Sequence, residues 1–230
     1  ATTGNSKDFG DMLDATSFNP GVGNQTRGIW MGGEAPGAPG SGAVDTIQFV
    51  TIATTGNATD FGNLRAAAFA SGAAASPTRL LAMGGGNPSS FFAYIDFVEI
   101  ATTGNASDFG DLISGQTEKP AGASSSTRGL FICGESQPSG TRLNTIQFIT
   151  IASTGNATDF GDHTDLRRSL GACNNSTRAV YGGGNTSSGS DNALSFVTIA
   201  TAGNGQDFGD LLSARSTAGT ASSDSHGGIE

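Results

Sequence analysis

Charged residues and the side chains that carry most enzyme chemistry are scarce in this chain. Only 13% of its 230 residues are charged, and it has two cysteines and two histidines. Two histidines are too few for a clustered zinc site. Cys133 and Cys173 stand at different positions of the repeat described below, so we expect two unrelated buried thiols rather than a pair or a metal site. This cysteine usage leaves the redox compartment open.

Basic residues and long apolar segments are scarce as well. Eleven Lys and Arg stand against 20 Asp and Glu, which gives a net charge of -9 and a pI near 4.5. Such a chain repels phosphate backbones and anionic lipids, so we expect no nucleic-acid partner. Without a long apolar run, membrane insertion is not expected either. The first residue is Ala1 rather than Met, which favours processing or a segment of a longer protein.

Glycine and a repeated motif are abundant instead. The chain has 36 glycines. The motif occurs five times, as TTGNSKDFGD from Thr2, TTGNATDFGN from Thr54, TTGNASDFGD from Thr102, STGNATDFGD from Ser153 and TAGNGQDFGD from Thr201. Its asparagines, Asn5, Asn57, Asn105, Asn156 and Asn204, follow one another at steps of 52, 48, 51 and 48 residues. A period of about 50 residues is the size of a four-stranded propeller blade.

Each repeat also carries the apolar pattern of short strands. A first strand of small residues precedes an apolar second strand, TRGIWMGG from Thr26, TRLLAMGGG from Thr78, TRGLFICG from Thr127 and TRAVYGGG from Thr177. The third strand follows as DTIQFVTIA from Asp45, YIDFVEIA from Tyr94, NTIQFITIA from Asn144 and ALSFVTIA from Ala193. A short fourth strand starts at the DFG phenylalanine. We therefore predict an all-β fold, a single β-propeller domain over residues 1–230 with four-stranded antiparallel blades. It has about five blades or is a segment of a larger propeller.

An apolar strand that ends in paired glycines once per four-stranded unit resembles the kelch repeat. The pairs are Gly32–Gly33, Gly84–Gly85 and Gly182–Gly183, whereas the third unit reads Cys133–Gly134. The tryptophan and tyrosine that follow later in a kelch unit are missing, so the resemblance implies a kelch-like propeller. The ATTGN…DFGDL units are also similar to repeat proteins associated with tailed phages and marine bacteria, often near tail fibres. That resemblance implies an extracellular or virion-surface location.

Phenylalanine and arginine recur at fixed positions of the repeat. The phenylalanines are Phe49, Phe97, Phe148 and Phe196 in the third strand and Phe9, Phe61, Phe109, Phe160 and Phe208 in DFG. We expect these rings to pack between neighbouring blades as the main apolar contact. The arginines that precede the second strand are Arg27, Arg79, Arg128 and Arg178, with His226 at the fifth position. We expect them to form structural ion pairs with neighbouring aspartates rather than a ligand site.

Several motifs suggest chemistry that their context does not support. DFG holds metal in kinases, but the phosphate-binding loop and the catalytic loop are missing, and five copies do not suit one active site. Asn and Asp around Gly favour tight turns through local side-chain bonds. Asp60, Asp108 and Asp159 are weak calcium candidates, because the dense run of acidic residues of a strong site is missing. His163 and His226 have no Ser or Cys in register that would indicate a catalytic triad. The N-x-S/T sequons repeat because the motif repeats.

Ring closure sets the number of blades. Four complete periods lie between the first and the fifth motif. The strand predicted at Asp8 to Leu13 could join strands from Ala214 to Glu230 in a fifth blade, which would tie both ends of the sequence into one sheet. The alternatives are a defective fifth blade, missing residues beyond one end, or a larger ring.

The connections on the two faces of the propeller differ in sequence. The connection after the third strand is nearly the same in every repeat, whereas those after the second and fourth strands differ in each. Variable loops on a rigid frame are suited to recognition. The predicted binding residues in these loops are Glu34, Asn87, Phe91, Phe92, Glu135, Arg142, Asn185 and Asp191.

Two functional hypotheses follow. The first is a non-enzymatic structural or adhesive module without a cofactor, which binds a protein or glycan surface through the variable loops and could contact neighbouring subunits. The alternative is a kelch-like propeller enzyme, either carbohydrate-active or an oxidoreductase, with a site at the central channel. The candidate carboxylates for that site are Asp45, Asp96 and Asp191.

Overall fold

Strands and turns make up the described part of the chain, and no helix occurs there. The computed structural model describes residues 4–36, 42–216 and, for the backbone alone, 221–222. Their antiparallel sheets are arranged as a β-propeller with four blades, which confirms the predicted all-β propeller fold. None of the described residues belongs to a helix that is long and apolar enough to cross a membrane.

Each blade is built on four strands that are hydrogen-bonded in chain order, and the second, third and fourth blades contain additional short strands. The first blade contains β1 (Gly21–Gly23), β2 (Arg27–Met31), β3 (Thr46–Thr51) and β4 (Thr59–Asn63). The second contains β5 (Gly72–Ala75), β6 (Arg79–Met83), the small ribbon β7 (Gly86–Asn87) and β8 (Ser90–Phe91), β9 (Tyr94–Glu99) and β10 (Ser107–Asp111). The third contains β11 (Thr117–Glu118), β12 (Ala121–Ser124), β13 (Arg128–Ser136), β14 (Thr141–Thr150) and β15 (Thr158–Arg167). The fourth contains β16 (Gly171–Asn174), β17 (Arg178–Gly182), β18 (Asn185–Thr186), β19 (Gly189–Thr198), β20 (Gln206–Arg215) and β21 (Ala221–Ser222).

One polar side chain builds the turn between the first and second strands of each blade. Asn24 Oδ1 accepts hydrogen bonds from the N–H groups of Thr26 and Arg27, both at 2.9 Å. The equivalent residues Ser76, Ser125 and Asn175 accept the same pair of bonds. A short side chain that accepts bonds two and three residues ahead imitates a backbone turn, which explains why Asn or Ser precedes each TR pair.

The paired glycines after the second strand meet a steric requirement. Gly84 has a φ of +58°, and a Cβ there would lie 2.3 Å from the backbone oxygen of Thr117. Cys133 adopts the same left-handed conformation in the third blade, with a φ of 57°. In the fourth blade the equivalent of Gly84 is Gly183, with a φ of +64°. The predicted pair Gly182–Gly183 is therefore shifted by one residue, because Gly182 still belongs to β17.

Three apolar clusters fill the three junctions between successive blades. Phe61 of the first blade packs with Leu80, Val98 and Ile100 of the second. Phe109 packs in the same way against Phe131, Ile149 and Ile151, and Phe160 against Ala179, Val197 and Ile199. In each of the four blades the DFG ring also meets the third-strand ring edge to face, with centroids 5.8–6.0 Å apart. A fully buried ring of this size contributes about 1.5–3 kcal/mol, so these junctions hold the blades together.

The first strands of the blades line the centre of the propeller and lie very close to one another. A Cβ on Gly122 of β12 would lie 1.8 Å from the backbone oxygen of Ala73 in β5. Strand β21 extends this inner layer, since it pairs in parallel with β16 and also lies next to β1. The inner layer thus has five strands for four blades.

Residues 8–13 do not form the predicted strand. They pack instead along the first blade, where Gly56 N–H donates to Phe9 O at 2.8 Å and Leu13 N–H donates to Gln48 Oε1 at 2.7 Å. Ala214 and Arg215, expected in a fifth blade, belong to β20 of the fourth. Within the described residues, Asp8 to Leu13 pair with no strand from Ala214 onward, and residues 217–220 and 223–230, including His226, lie outside the described part.

Candidate binding face

The two faces of the propeller are built differently. One carries the turns between strands one and two and between strands three and four, which repeat in every blade, and we call it the uniform face. The other carries the connections between strands two and three and between each blade and the next, and we call it the loop face. The variable connections predicted to bind a partner thus lie on one side of the molecule.

Backbone bridges fix the loop face in each blade. Glu34 bridges to Ser17, Gly86 to Phe69 and Asn185 to Arg168, while Thr117 and Glu118 pair with Ser136 and Glu135. Four residues with positive φ, Phe18, Ala70, Lys119 and Ser169, stand at the same position in successive blades. Each N–H in this series donates to the preceding carbonyl, from Ala70 to Phe18, Lys119 to Ala70 and Ser169 to Lys119, at 2.7–3.1 Å. The loops are therefore held by a continuous backbone network.

In the second blade, two stacked aromatic rings and an arginine lie at the loop face. Phe92 and Tyr94 stack with ring centroids 4.8 Å apart, and the Arg65 guanidinium lies 4.3 Å from the Tyr94 centroid. Arg65 also pairs with Asp96 and, at 2.8 Å, with Asp108. Burial and the Asp96 carboxylate raise the pKa of Tyr94 to about 12.

The predicted residues of this blade differ in exposure. Asn87 Oδ1 closes the β7–β8 turn by accepting the N–H groups of Ser89 and Ser90, and its Nδ2 donates to Ala67 O at 3.1 Å. Phe92 packs against the junction cluster, and Phe91 is half-buried. The tip residues Pro88 and Ser89 are exposed and carry no internal bond from their side chains within the described residues.

In the third blade, a buried polar cluster supports the loop face. Glu135 is 6% exposed and Glu118 is 4% exposed. Gln137 Nε2 donates to both carboxylates, at 3.2 Å to Glu135 and 2.9 Å to Glu118. Arg168 pairs with Glu135, and Lys119 pairs with Glu118 at 3.3 Å. Both carboxylates are thus committed to internal partners, and the predicted Glu135 faces inward.

The fourth blade uses a buried arginine in the same role. Arg167, 1% exposed, donates to Asp165 at 3.2 Å, to Asp191 at 3.1 Å and to Gly183 O at 3.1 Å. Asp191 also accepts the Ala193 N–H at 2.8 Å, and this bond together with Arg167 lowers the pKa of Asp191 despite partial burial. Of the remaining predicted residues, Glu34, Arg142 and Asn185 are half-buried.

The structure brings His163 and Ser195 together, which the sequence did not indicate. His163 Nε2 lies 3.3 Å from Ser195 Oγ, and His163 Nδ1 accepts the backbone N–H of Asp165 at 2.9 Å. His163 Nδ1 also lies 3.1 Å from Asp165 O, so either ring nitrogen can carry the proton of the neutral imidazole. The base of a catalytic triad is held by an acidic side chain, whereas His163 Nδ1 is held by the backbone of Asp165. Both residues are also buried, at 2% and 7% exposure, and burial and Arg167 lower the pKa of His163.

The repeated arginines do not pair with aspartates as expected. Arg79 donates to Ile151 O at 3.1 Å and Ala152 O at 2.9 Å of the next blade, and its guanidinium lies 4.9 Å from the Phe97 centroid. Arg128 contacts Ile199 O and Ala200 O in the same way, and Arg27 contacts Ile100 O; both guanidinium groups also lie over a third-strand ring. The carboxylate that Arg79 contacts belongs to Glu99, at 2.7 Å. A strand end leaves carbonyls without ladder partners, and the planar guanidinium reaches two of them while stacking on a ring.

The asparagine of the repeated motif links blades rather than making a local turn. Asn57, Asn105, Asn156 and Asn204 each accept a backbone N–H from the DFGD or DFGN segment of the preceding blade, at 3.0–3.1 Å. A Cβ on the DFG glycines Gly10, Gly62, Gly110 or Gly161 would lie 2.3–2.5 Å from the backbone oxygen of the glycine before that asparagine. Both halves of the motif are therefore explained by one contact between neighbouring blades.

The described residues include no group of three or more His, Cys, Asp or Glu side chains that could hold a metal ion. Of the calcium candidates, Asp60 and Asp159 are exposed and Asp108 pairs with Arg65. The carboxylates considered for a channel site lie apart. Asp96 is buried beside Arg65, with its pKa raised by burial, and Asp191 binds Arg167, whereas Asp45 lies before β3. Cys133 is buried, but Cys173 is exposed, contrary to expectation.

Comparison of the chain with protein-family models and with curated proteins finds no match.

Proposed function

We propose that this protein is a non-enzymatic structural or adhesive propeller that binds a protein or glycan surface through its loop face. The observation that carries the proposal is the contrast between the two faces. The uniform face repeats the same turn chemistry in four blades. The loop face has a different construction in each blade on the same backbone frame. A rigid frame with blade-specific loops is suited to recognition.

The exposed parts of the loop face offer the contact surface. Three hairpin tips on this face are exposed: Pro88–Ser89, Pro138–Gly140 and Ser187–Ser188. Phe18, a member of the positive-φ series of the same face, is 52% exposed. Because the buried pairs beneath hold these tips, little loop ordering is needed on binding, which favours affinity. An extracellular or virion-surface location, as a kelch-like module of the tail-fibre type, rests on the resemblance of the repeats.

The polar clusters favour binding over catalysis. The serine–histidine pair is buried, and its Nδ1 is held by the Asp165 backbone rather than by an acidic side chain. The buried carboxylates Glu118 and Glu135 are occupied by Gln137, Lys119 and Arg168. A general acid and base need free access to substrate atoms. The inner strands approach too closely to leave room for a substrate between β5 and β12.

A panel of glycans and host-cell surfaces tests this proposal with two matched variants. Replacing the tips Pro88–Ser89 and Ser187–Ser188 by Gly-Ser should abolish binding without changing the melting temperature. Replacing the uniform-face turn residues Gln25 and Ser126 by Ala, which are equally exposed, should leave binding intact. Binding that survives the tip changes would overturn the proposal. Hydrolysis or oxidation of a bound glycan would establish the enzyme alternative instead.

A further inference from the structure

The sheet of the fourth blade has one face toward the third blade and an opposite face, which we call its outer side. The outer side carries the groups that form a blade junction elsewhere, but no blade packs on it within the described residues. Phe208 is 50% exposed, whereas Phe61, Phe109 and Phe160 at the same position are each 2% exposed. Val180 and Leu194 are half-exposed, although their counterparts in the other blades are fully buried. This side is apolar because its sequence is that of an internal junction.

The polar groups of the same side are also left without the partners that they have elsewhere. Arg178 stacks on Phe196 at 4.3 Å but, within the described residues, its guanidinium reaches no carbonyl of a following strand. A Cβ on Gly209 would have no atom within 4 Å, unlike the four preceding DFG glycines. A cavity of 310 Å³ opens here beside Phe196, Thr198 and Gln206. Two contacts of the internal junctions are thus missing here, and a cavity opens beside them.

The facing side of the first blade shows the complementary exposure. Ile52 is 47% exposed, whereas Ile100, Ile151 and Ile199 at the same position are each 1% exposed. Trp30 and Val50 on this side are only half-buried. Two apolar walls therefore border the fifth position of the propeller.

Two parts of a fifth blade are already present at this position: a first strand, next to the centre of the propeller, and a DFG segment, at its outer edge. Strand β21 lies beside β16 and next to β1, where a fifth first strand belongs. Residues 9–11 make the bonds to Gly56, Asn57 and Ala58 that the DFG segments of the first three blades make to the next blade. Strands two and three of such a blade have no counterpart among the described residues.

We propose that this fifth position binds a two-stranded β-hairpin of a partner protein that carries the second- and third-strand pattern of these repeats. Such a hairpin supplies an Ile carbonyl to Arg178, small or aliphatic residues over Phe196 and Phe208, and a ring toward Ile52. Both of its faces are buried, as those of β6 and β9 are. Pairing of a donated strand with an open sheet position is an established mode of recognition.

The probe is a soluble carrier protein fused to the sequence of residues 127–151, with Cys133 changed to Gly. This hairpin forms β13 and β14 in the third blade, where its buried Ile151 covers the Phe97–Phe109 pair. Fluorescence anisotropy should show saturable 1:1 binding to the full chain. An Ile→Asp change at the probe position of Ile151 should remove the binding, because it places a charge between two apolar walls.

Variants of the protein make the test specific. Phe208→Ser and Arg178→Ala should each weaken probe binding at least about tenfold, as expected of central interface residues. Both side chains are exposed, so each change should lower the melting temperature of the free chain only slightly. Leu212→Ser is the control, because the equivalent Leu13 and Ile113 stay 48% exposed at occupied junctions, and it should leave binding unchanged.

Three results would overturn the proposal. The first is a folded chain that does not bind the probe. The second is a Phe208→Ser variant destabilised as strongly as Phe160→Ser, because the chain itself then covers the site. The third is a dimer that Phe208→Ser dissociates, which would assign the surface to a second copy.

Discussion

At the residue scale, glycine and asparagine of the repeated motif act through the backbone of a neighbouring blade. The DFG glycine leaves room for the next TGN loop, and the asparagine accepts a bond from the segment beside that glycine. Neither residue can be replaced by a chemically similar one, since the contact depends on a missing Cβ and on a short amide side chain.

Gly110→Ala should destabilise the protein by about 3 kcal/mol, from backbone strain combined with overpacking. The new Cβ would lie 2.3 Å from Gly155 O, at a φ of +151°. Gly209→Ala is the matched control, because its φ of +134° is similar but no atom lies within 4 Å. Urea denaturation of both variants separates backbone strain from steric clash. An equal loss in the free energy of unfolding would contradict a close contact between Gly110 and Gly155 O.

His163 should make stability fall as the pH drops below about 6.5, the usual pKa of histidine. Its pKa in the folded protein is lowered, first by burial and then by Arg167. The unfolded chain therefore binds a proton at a pH at which the folded chain does not, and acid favours unfolding. His163→Leu restores the residue type of Leu64 and Leu112 at this position. Urea denaturation at pH 7.5 and 5.5 should show a smaller loss in the variant, and an equal loss would assign the effect to other groups.

At the element scale, the third strand and the following turn form the link between blades. The carbonyls at the end of the third strand bind the arginine of the preceding blade, and the polar residue in the strand accepts a backbone N–H from that blade. Gln48, Asp96 and Gln147 occupy the latter position and accept from Leu13, Arg65 and Ile113 at 2.7–3.1 Å. In the fourth blade Ser195 stands there and contacts His163 instead.

Arg79→Ala should destabilise the protein by about 1–3 kcal/mol, since it removes charged hydrogen bonds to two carbonyls, the ion pair with Glu99 and a contact with a ring. Arg178→Ala is the control, because that arginine has the ring contact but no carbonyl partner among the described residues. Thermal denaturation should show a clear loss for the first variant and a small one for the second. A similar loss in both would mean that the ring contact alone matters.

The sequence predicted the strands better than the contacts that these strands and their side chains make. The period, the glycine pairs and the alternating third strand were sufficient for the propeller, its strand order and the placement of the rings. The strand predicted at residues 8–13 from their match to the DFG strands does not form, because an isolated segment cannot form a sheet without its neighbours. The carbonyl partners of Arg27, Arg79 and Arg128 were missed because backbone acceptors leave no mark in a sequence. The His163–Ser195 contact joins two repeats, so no single repeat shows it.

At the scale of the whole molecule, the propeller is a series of similar junctions with two unlike ends. The second and third blades are covered on both sides by apolar clusters, and the first and fourth on one side only. In a repeat architecture, stability is close to a sum of the units and their interfaces with nearest neighbours. The end blades therefore have fewer interfaces, which no feature of an individual repeat reveals.

Hydrogen exchange should show this difference directly. Leu81 and Leu130 are central residues of the middle blades with no exposed surface, whereas their equivalent Val180 in the fourth blade is half-exposed. All three belong to second strands with ladder bonds on both sides, so their backbone hydrogen bonding is matched. Local opening of the fourth blade exposes one junction and that of a middle blade exposes two, so the Val180 amide should exchange at least about tenfold faster. Equal protection at the three amides would mean that the outer side of the fourth blade is already covered in solution.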